Sequence, residues 1–289
     1  AKYYEGLIKN FPKTSPAALA EAHFLLGRAA FDQGDFQSSI SHMSEAKTLD
    51  PQKYGEQVNV LTVLSYHKLQ DVNKLKEALE TLQKENPAAV SRVPDVIPAW
   101  LGLQAYGMKD LETADKYMTW ATQNDQLQNV KKVIWRNLAK VRLALKKYDR
   151  ALVASNNFLK VEDQPYRRAD GMLDKASILL GLGKYAEARK TAEEALALGV
   201  EGPLMASLKI VLGDISYAEK KFDEAAKHYG VTAELFVNDA ELKPKALFKA
   251  AEALDKAGRK SEASQYRARL QKEFPDWKQE GESLPPDAR

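Results

Sequence analysis

Four histidines and no cysteine limit what this 289-residue chain can do with metals and nucleophiles. Without Cys there is no disulfide framework, no thiolate ligand and no thiol nucleophile. His23, His42, His67 and His228 form no His-Glu-x-x-His motif and no pair four residues apart. Spacing therefore presents no two-imidazole face to a metal ion. His67 with Asp71 and His228 with Glu224 are i,i+4 neighbours, a common helix pattern that reads as packing or surface histidine. Gly181-Leu182-Gly183-Lys184 hints at a phosphate loop. Such a loop needs Ser or Thr after the Lys and an earlier Gly, and this chain has Tyr185 and Ile178 there. No Gly-x-Ser-x-Gly elbow occurs. Carboxylate doublets such as Glu193-Glu194 read as a solvated helix face. No catalytic residue, metal ligand or cofactor is expected.

The other charge feature is a basic run: Lys131, Lys132, Arg136, Lys140, Arg142, Lys146 and Lys147. It reads either as a solvated helix face or as an anion site, because Arg136 and Lys140 stand one helical turn apart. On the first reading these charges contribute little to stability. The chain as a whole is nearly balanced: 43 Lys+Arg against 40 Asp+Glu gives +3. Bulk charge thus favours neither nucleic acid nor an anionic membrane as partner. At 44% hydrophobic and 29% charged residues the composition is that of a soluble chain. No apolar run approaches the ~18–20 residues of a membrane span.

The elements that must carry these residues are short helices. Ala20 to Lys53 has apolar residues at helical spacing through Phe24, Leu25, Ala29 and Phe31, broken by Gly34-Asp35. A second run through Ile40, Met43 and Ala46 is stopped at Asp50-Pro51, since the residue before Pro is pushed out of the α region. Similar units start near 20, 56, 95, 132, 169, 206 and 244, in steps of 36, 39, 37, 37, 37 and 38 residues. Two short helices cannot bury their apolar faces on each other alone, so the units must stack. Gly27, Gly102 and Gly213 fall inside helices, where Gly costs about 1 kcal/mol against Ala. Close helix crossings at those points are the expected reason. Ala1–Pro12 reads as the end of a second helix closed by Phe11-Pro12, with Tyr4, Leu7 and Ile8 as its buried face. A preceding helix is expected to be missing from the chain.

In repeat one, Leu26-Gly27, Gly34, Phe36, Met43, Ala46 and Pro51 match the pattern of the tetratricopeptide repeat, so the chain resembles that family. His23, Ala30 and Ser39 depart from it. Later matches include Leu101-Gly102, Met118, Trp135, Tyr148, Gly183, Tyr185, Leu212-Gly213, Phe222, Gly258 and Ala263. The family pattern has 34 residues, and the longer steps here place the extra length at the ends of second helices or in the loops between repeats. The resemblance implies an all-α fold: an α-solenoid of about seven helix–turn–helix repeats forming a right-handed superhelix over 20–277. Residues 1–19 form the end of a preceding repeat and a linker, and 278–289 a polar tail.

The resemblance also implies a binding scaffold, with first-helix positions lining a concave groove. In phase these are Phe24, Arg28 and Phe31, then Leu64 and His67, Leu103 and Tyr106, and Arg136, Lys140 and Leu143. Leu173 and Leu180, Ile210, Asp214 and Tyr217, and Phe248 and Glu252 complete the set. Such residues either seat a partner or pack first helix on first helix. The implied partner is a protein or peptide, with an acidic segment if Arg136 and Lys140 converge on it. The family's carboxylate clamp is matched only loosely, by Arg136, Asn137 and Lys140, so that function is not carried over. A homo-oligomeric scaffold is a variant of the same reading. The phrasing of residues 7–43 and Leu270–Trp277 is similar to bacterial cell-envelope members, of the outer-membrane assembly lipoprotein and Tol-coordinator type. That implies a periplasmic, or otherwise extracytoplasmic, location; the alternative is cytoplasmic. The competing function is a ligand- or peptide-sensing regulatory module of a larger protein.

Overall fold

A computed structural model describes residues 2–10, 15–123, 128–235 and 240–278. The Phe11-Pro12 closure and the tail positions 279–289 lie outside the described residues. Contacts group the chain into two compact units, 1–127 and 128–289. Unit 1 holds α1 (Lys2–Asn10), α2 (Pro16–Asp32), α3 (Phe36–Leu49), α4 (Pro51–Leu69), α5 (Val72–Glu85), α6 (Val96–Gly107) and α7 (Leu111–Ala121). Unit 2 holds α8 (Gln128–Ala144), α9 (Tyr148–Val161), α10 (Pro165–Gly181), α11 (Tyr185–Leu196), α12 (Gly202–Ala218), α13 (Phe222–Leu235), α14 (Leu242–Lys256) and α15 (Lys260–Glu273). Among the described residues there is no strand. After α1 the helices form the seven expected pairs, α2/α3 through α14/α15, stacked as an α-solenoid within each unit. No helix of the described residues is long and apolar enough to cross a membrane.

The extra length of each repeat sits mostly elsewhere than expected. Five of the seven first helices are long: α2, α8, α10 and α12 have 17 residues each and α4 has 19, against 12 in α6 and 15 in α14, while second helices keep 11–14. The reason is local. Pro16, Pro51 and Pro165 each open a first helix several residues before the repeat start, where a missing N–H costs nothing. Ser15 and Asp50 cap two of these starts, accepting from the N–H groups of Ala18 at 3.3 Å and Lys53 at 3.0 Å. In the longest step, from repeat two to three, the loop also takes length, winding into a 3-10 turn at Pro87–Arg92.

Every hairpin turns the same way. One or two residues after the end of each first helix a residue has positive φ: Gly34 (82°), Gln70 (56°), Lys109 (62°), Lys146 (57°), Gly183 (72°), Lys220 (62°) and Gly258 (79°). Those positions step by 36, 39, 37, 37, 37 and 38 residues, the period already seen. The next N–H reaches back five residues each time, as Asp35 does to Ala30 O at 2.9 Å and Lys221 to Ser216 O at 2.8 Å. The phosphate-loop fragment is thus the turn of repeat five. A left-handed conformation costs an L-residue about 1–2 kcal/mol. Lys220→Gly should therefore raise stability by about 0.5–1 kcal/mol, net of the unfolded-state entropy of glycine. A chemical-denaturation midpoint that stays put or falls would contradict this.

The intrahelical glycines meet large side chains of the paired second helix. An added Cβ at Gly27 would lie 3.0 Å from Met43 Cγ, and at Gly102 2.9 Å from the backbone N of Met118. At Gly213 it would enter the ring of Tyr229. Met43, Met118 and Tyr229 are fully buried, so glycine is what lets the helices close over them. Gly171 against Phe158 and Gly181 against Tyr148 do the same, without having been singled out by the pattern.

Candidate functional site

In unit 1 the first-helix positions form two rows. Arg28, Leu64 and Leu103 share one register position on α2, α4 and α6; Phe31, His67 and Tyr106 share the next. Arg28 is exposed, and Leu64, Leu103 and Tyr106 are half-buried. Phe24 stacks on Tyr54 of the next first helix, with ring centroids 4.7 Å apart. Phe31 meets Phe36 edge-on at 5.4 Å, inside its own hairpin. His67 sets its edge on Trp100 at 5.4 Å, and burial, then Lys68, lower its pKa. The sequence left open whether these residues pack or bind: Phe24 and Phe31 have ring partners, Phe24, Phe31, Leu103 and Tyr106 are all half-buried, and Arg28 is exposed.

In unit 2 the sequence left Arg136 and Lys140 as either a solvated face or an open anion site, and the chain builds an inter-repeat ion-pair cluster there. Both cations face acids on the next first helix. Arg136 pairs with Asp170 and stands 3.9 Å from Asp174, and Lys140 stands 4.0 Å from Asp174. The sequence could not show this, because Asp170 and Asp174 lie about one repeat downstream. Burial pushes the Asp174 carboxyl up to about 6, against the opposing pull of Lys140 and Arg136. Asp214 is likewise occupied, accepting from Lys249 Nζ at 2.8 Å and from the Tyr229 hydroxyl at 2.6 Å. Tyr217 meets Phe222 at 5.2 Å, in the register of Phe31 and Phe36. Phe248 meets Trp277 at 5.6 Å, so Trp277 covers the last repeat much as Tyr54 covers Phe24. Leu143 is half-buried.

Opposite charges one repeat apart recur along the second helices. Lys76 meets Asp110 at 3.4 Å, Glu80 meets Lys116 at 3.3 Å, Arg189 meets Glu224 at 2.8 Å, and Asp223 meets Arg259 at 2.9 Å. Partner separations of 34–36 residues follow from stacking repeats in register. A search for sign reversal at two to five residues short of the repeat step would have found them.

The histidines also pair in a way that i,i+4 spacing could not reveal. His23 on α2 and His42 on α3 hydrogen-bond through their Nδ1 atoms at 3.0 Å. Burial, then His42, lower the His23 pKa, with Glu45 opposing. Among the described residues no group of three or more His, Cys, Asp or Glu could hold a metal ion.

Comparison with known proteins agrees with this architecture. The tetratricopeptide-repeat pattern matches at residues 20–53, 173–236 and 245–276. No curated protein matches the chain. The apo form of RapI is 15% identical over 90% of this chain and 78% of its own, with a TM-score of 0.54. A Rap protein complexed with competence and sporulation factor is 13% identical over 89% and 77%, with a TM-score of 0.54. The TPR-like repeats of a putative kinesin light chain from Podosopora anserina are 12% identical over 61% and 92%, with a TM-score of 0.50. Identities this low speak to the fold alone. With seven in-phase hairpins, the shared left-handed turn and three separate repeat matches, the chain belongs to the tetratricopeptide-repeat family.

Proposed function

We propose that this chain is a non-catalytic interaction scaffold that seats a peptide or protein segment on the first-helix face of unit 1. One observation carries the reading. Of Arg28, Arg136, Lys140 and Asp214, only Arg28 is exposed with no opposite charge in ion-pair reach among the described residues. It stands at the end of the apolar row continued by Leu64 and Leu103, beside the row of Phe31, His67 and Tyr106. A cation at the end of an apolar and aromatic strip suits a segment with an acidic residue next to an apolar one. In unit 2 the equivalent charges are spent on stacking and Ile210 is buried, so a partner there would contact Leu173 and Leu180 rather than Arg136 or Lys140. A place in a bacterial cell envelope, in the periplasm, is part of this proposal; it rests on phrasing such as Leu270–Trp277. A homo-oligomeric scaffold would use the same face. The second reading, a peptide-sensing regulatory module, draws on the shared fold with the Rap protein complexed with competence and sporulation factor.

Peptides selected from a random library on the purified protein should carry Asp or Glu beside an apolar side chain. Arg28→Glu with Tyr106→Ala should weaken them by at least about tenfold, the lower value of one charge-assisted hydrogen bond. Arg28→Glu alone should leave the melting midpoint in place, because an exposed charge contributes little to stability. Selected peptides that bind the double variant as tightly as the parent would refute this placement of the site.

A further inference from the structure

Beyond the first-helix face, unit 2 contains a cavity of about 560 Å³ where α9 and α11 flank α10. Its size falls within the range of about 300–1,000 Å³ usual for small-molecule sites. Leu159 and Met172 give it an apolar floor, and Asn156 and Thr191 stand among the polar lining groups. Three cations line it: Lys160, Arg168 and Lys175. None has a carboxylate in ion-pair reach among the described residues. Arg168 is held in place, because its Nη1 donates to the carbonyls of Leu159 at 2.6 Å and Glu162 at 3.2 Å. Those bonds fix the guanidinium without cancelling its charge. The lining holds one acid, Glu194, which lies 3.9 Å from Lys190. Three positive charges and one negative leave the cavity at +2.

Unit 1 supplies an internal control. The same register produces a cavity of about 270 Å³ where α3 and α5 flank α4. There Ser44 stands in the register of Asn156, Thr62 in that of Lys175 and Thr81 in that of Glu194. Its cations are neutralised: Lys47 pairs with Glu85 at 2.7 Å and Lys74 with Glu77 at 2.9 Å. The groove shape comes from repeat stacking, and of these two copies the one in unit 2 carries the uncompensated positive charge.

We propose that the cavity among α9, α10 and α11 binds a phosphorylated small molecule: a phosphate monoester on a compact apolar or aromatic body. A phosphate monoester carries about −1.5 to −2 charges at neutral pH, matching the +2 of the lining. The Arg168 fork suits phosphate oxygens, the two ammonium groups act as point charges, and Leu159 and Met172 receive the apolar body. The site shares no residue with the proposed partner face, so each stands or falls separately.

Phenyl phosphate serves as the probe, titrated into the full chain and followed by calorimetry and amide chemical shifts. Saturable binding is expected, with the shifts confined to α9, α10 and α11. Lys160→Gln and Lys175→Gln should each weaken it about fivefold or more, as loss of a charge-assisted contact does. Their circular dichroism and melting midpoints should match the parent, since neither side chain has an ion-pair partner to lose. Benzoate, with a similar body but one charge, should bind at least about fivefold more weakly than phenyl phosphate. Arg28→Glu should leave phenyl phosphate binding unchanged. The proposal is overturned by no saturable binding at about 10 mM probe beyond a sodium chloride control of equal ionic strength. Unchanged affinity in both lysine variants, or benzoate binding as tightly as phenyl phosphate, overturns it equally.

Discussion

Arg136→Glu combined with Lys140→Glu is expected to destabilise unit 2 by about 2 kcal/mol, less than breaking a fully buried ion pair, because Arg136, Lys140 and Asp170 keep 25–34% of their side-chain exposure. As a solvated basic face, the two positions would tolerate the exchange almost freely. The stacked repeats make it costly because Arg136 pairs with Asp170 and both cations lie close to Asp174. Asp174 retains only 14% of its side-chain exposure, and burial already pushes its carboxyl up to about 6. Two glutamates facing Asp170 and Asp174 would collect four carboxylates at one helix crossing with no cation between them. The effect should appear as a lower urea midpoint for unit 2. Adding Asp170→Lys and Asp174→Lys restores opposite charges across the α8–α10 contact and should recover at least half of the loss. A double variant with the parent midpoint, or a quadruple variant no better than the double, would show that this crossing does not hold the repeats in register.

Gly213→Leu should cost about 3 kcal/mol, toward the upper end for overpacking a filled core. Even a single Cβ at this position would enter the ring of Tyr229, a side chain with no exposed surface. Tyr229 has little freedom to retreat, because its hydroxyl donates to Asp214, which also accepts from Lys249 of α14. Pushing the ring aside would strain a three-helix contact of α12, α13 and α14. Replacing Tyr229 with Leu in the same chain should return part of the loss by vacating the space. A Gly213→Leu protein that melts like the parent would place the α12–α13 crossing elsewhere.

The repeat architecture was legible in the sequence because its causes are local. Apolar spacing gives the helices, Asp50-Pro51 ends one and begins the next, and Gly34, Gly183 and Gly258 accept the left-handed turn. Seven such units in phase leave stacking as the way to bury their faces. Gln70, Lys109, Lys146 and Lys220 adopt the same turn without glycine, because the flanking helices and the five-residue backbone bond impose it. The first-helix face was legible as a set of register positions, but not the state of each residue in it. Whether Arg28 is open and Arg136 closed depends on what the next first helix presents, and that residue lies about one repeat away. The acids at Asp170 and Asp174, the lysine at Lys249 and the ring of Trp277 decided this only once neighbouring repeats were stacked. The same holds for His23 with His42, and for the cations around the cavity of unit 2. Helical periodicity reports which face a residue is on, whereas ion pairing and burial are set by the facing element, whose identity short-range spacing does not encode.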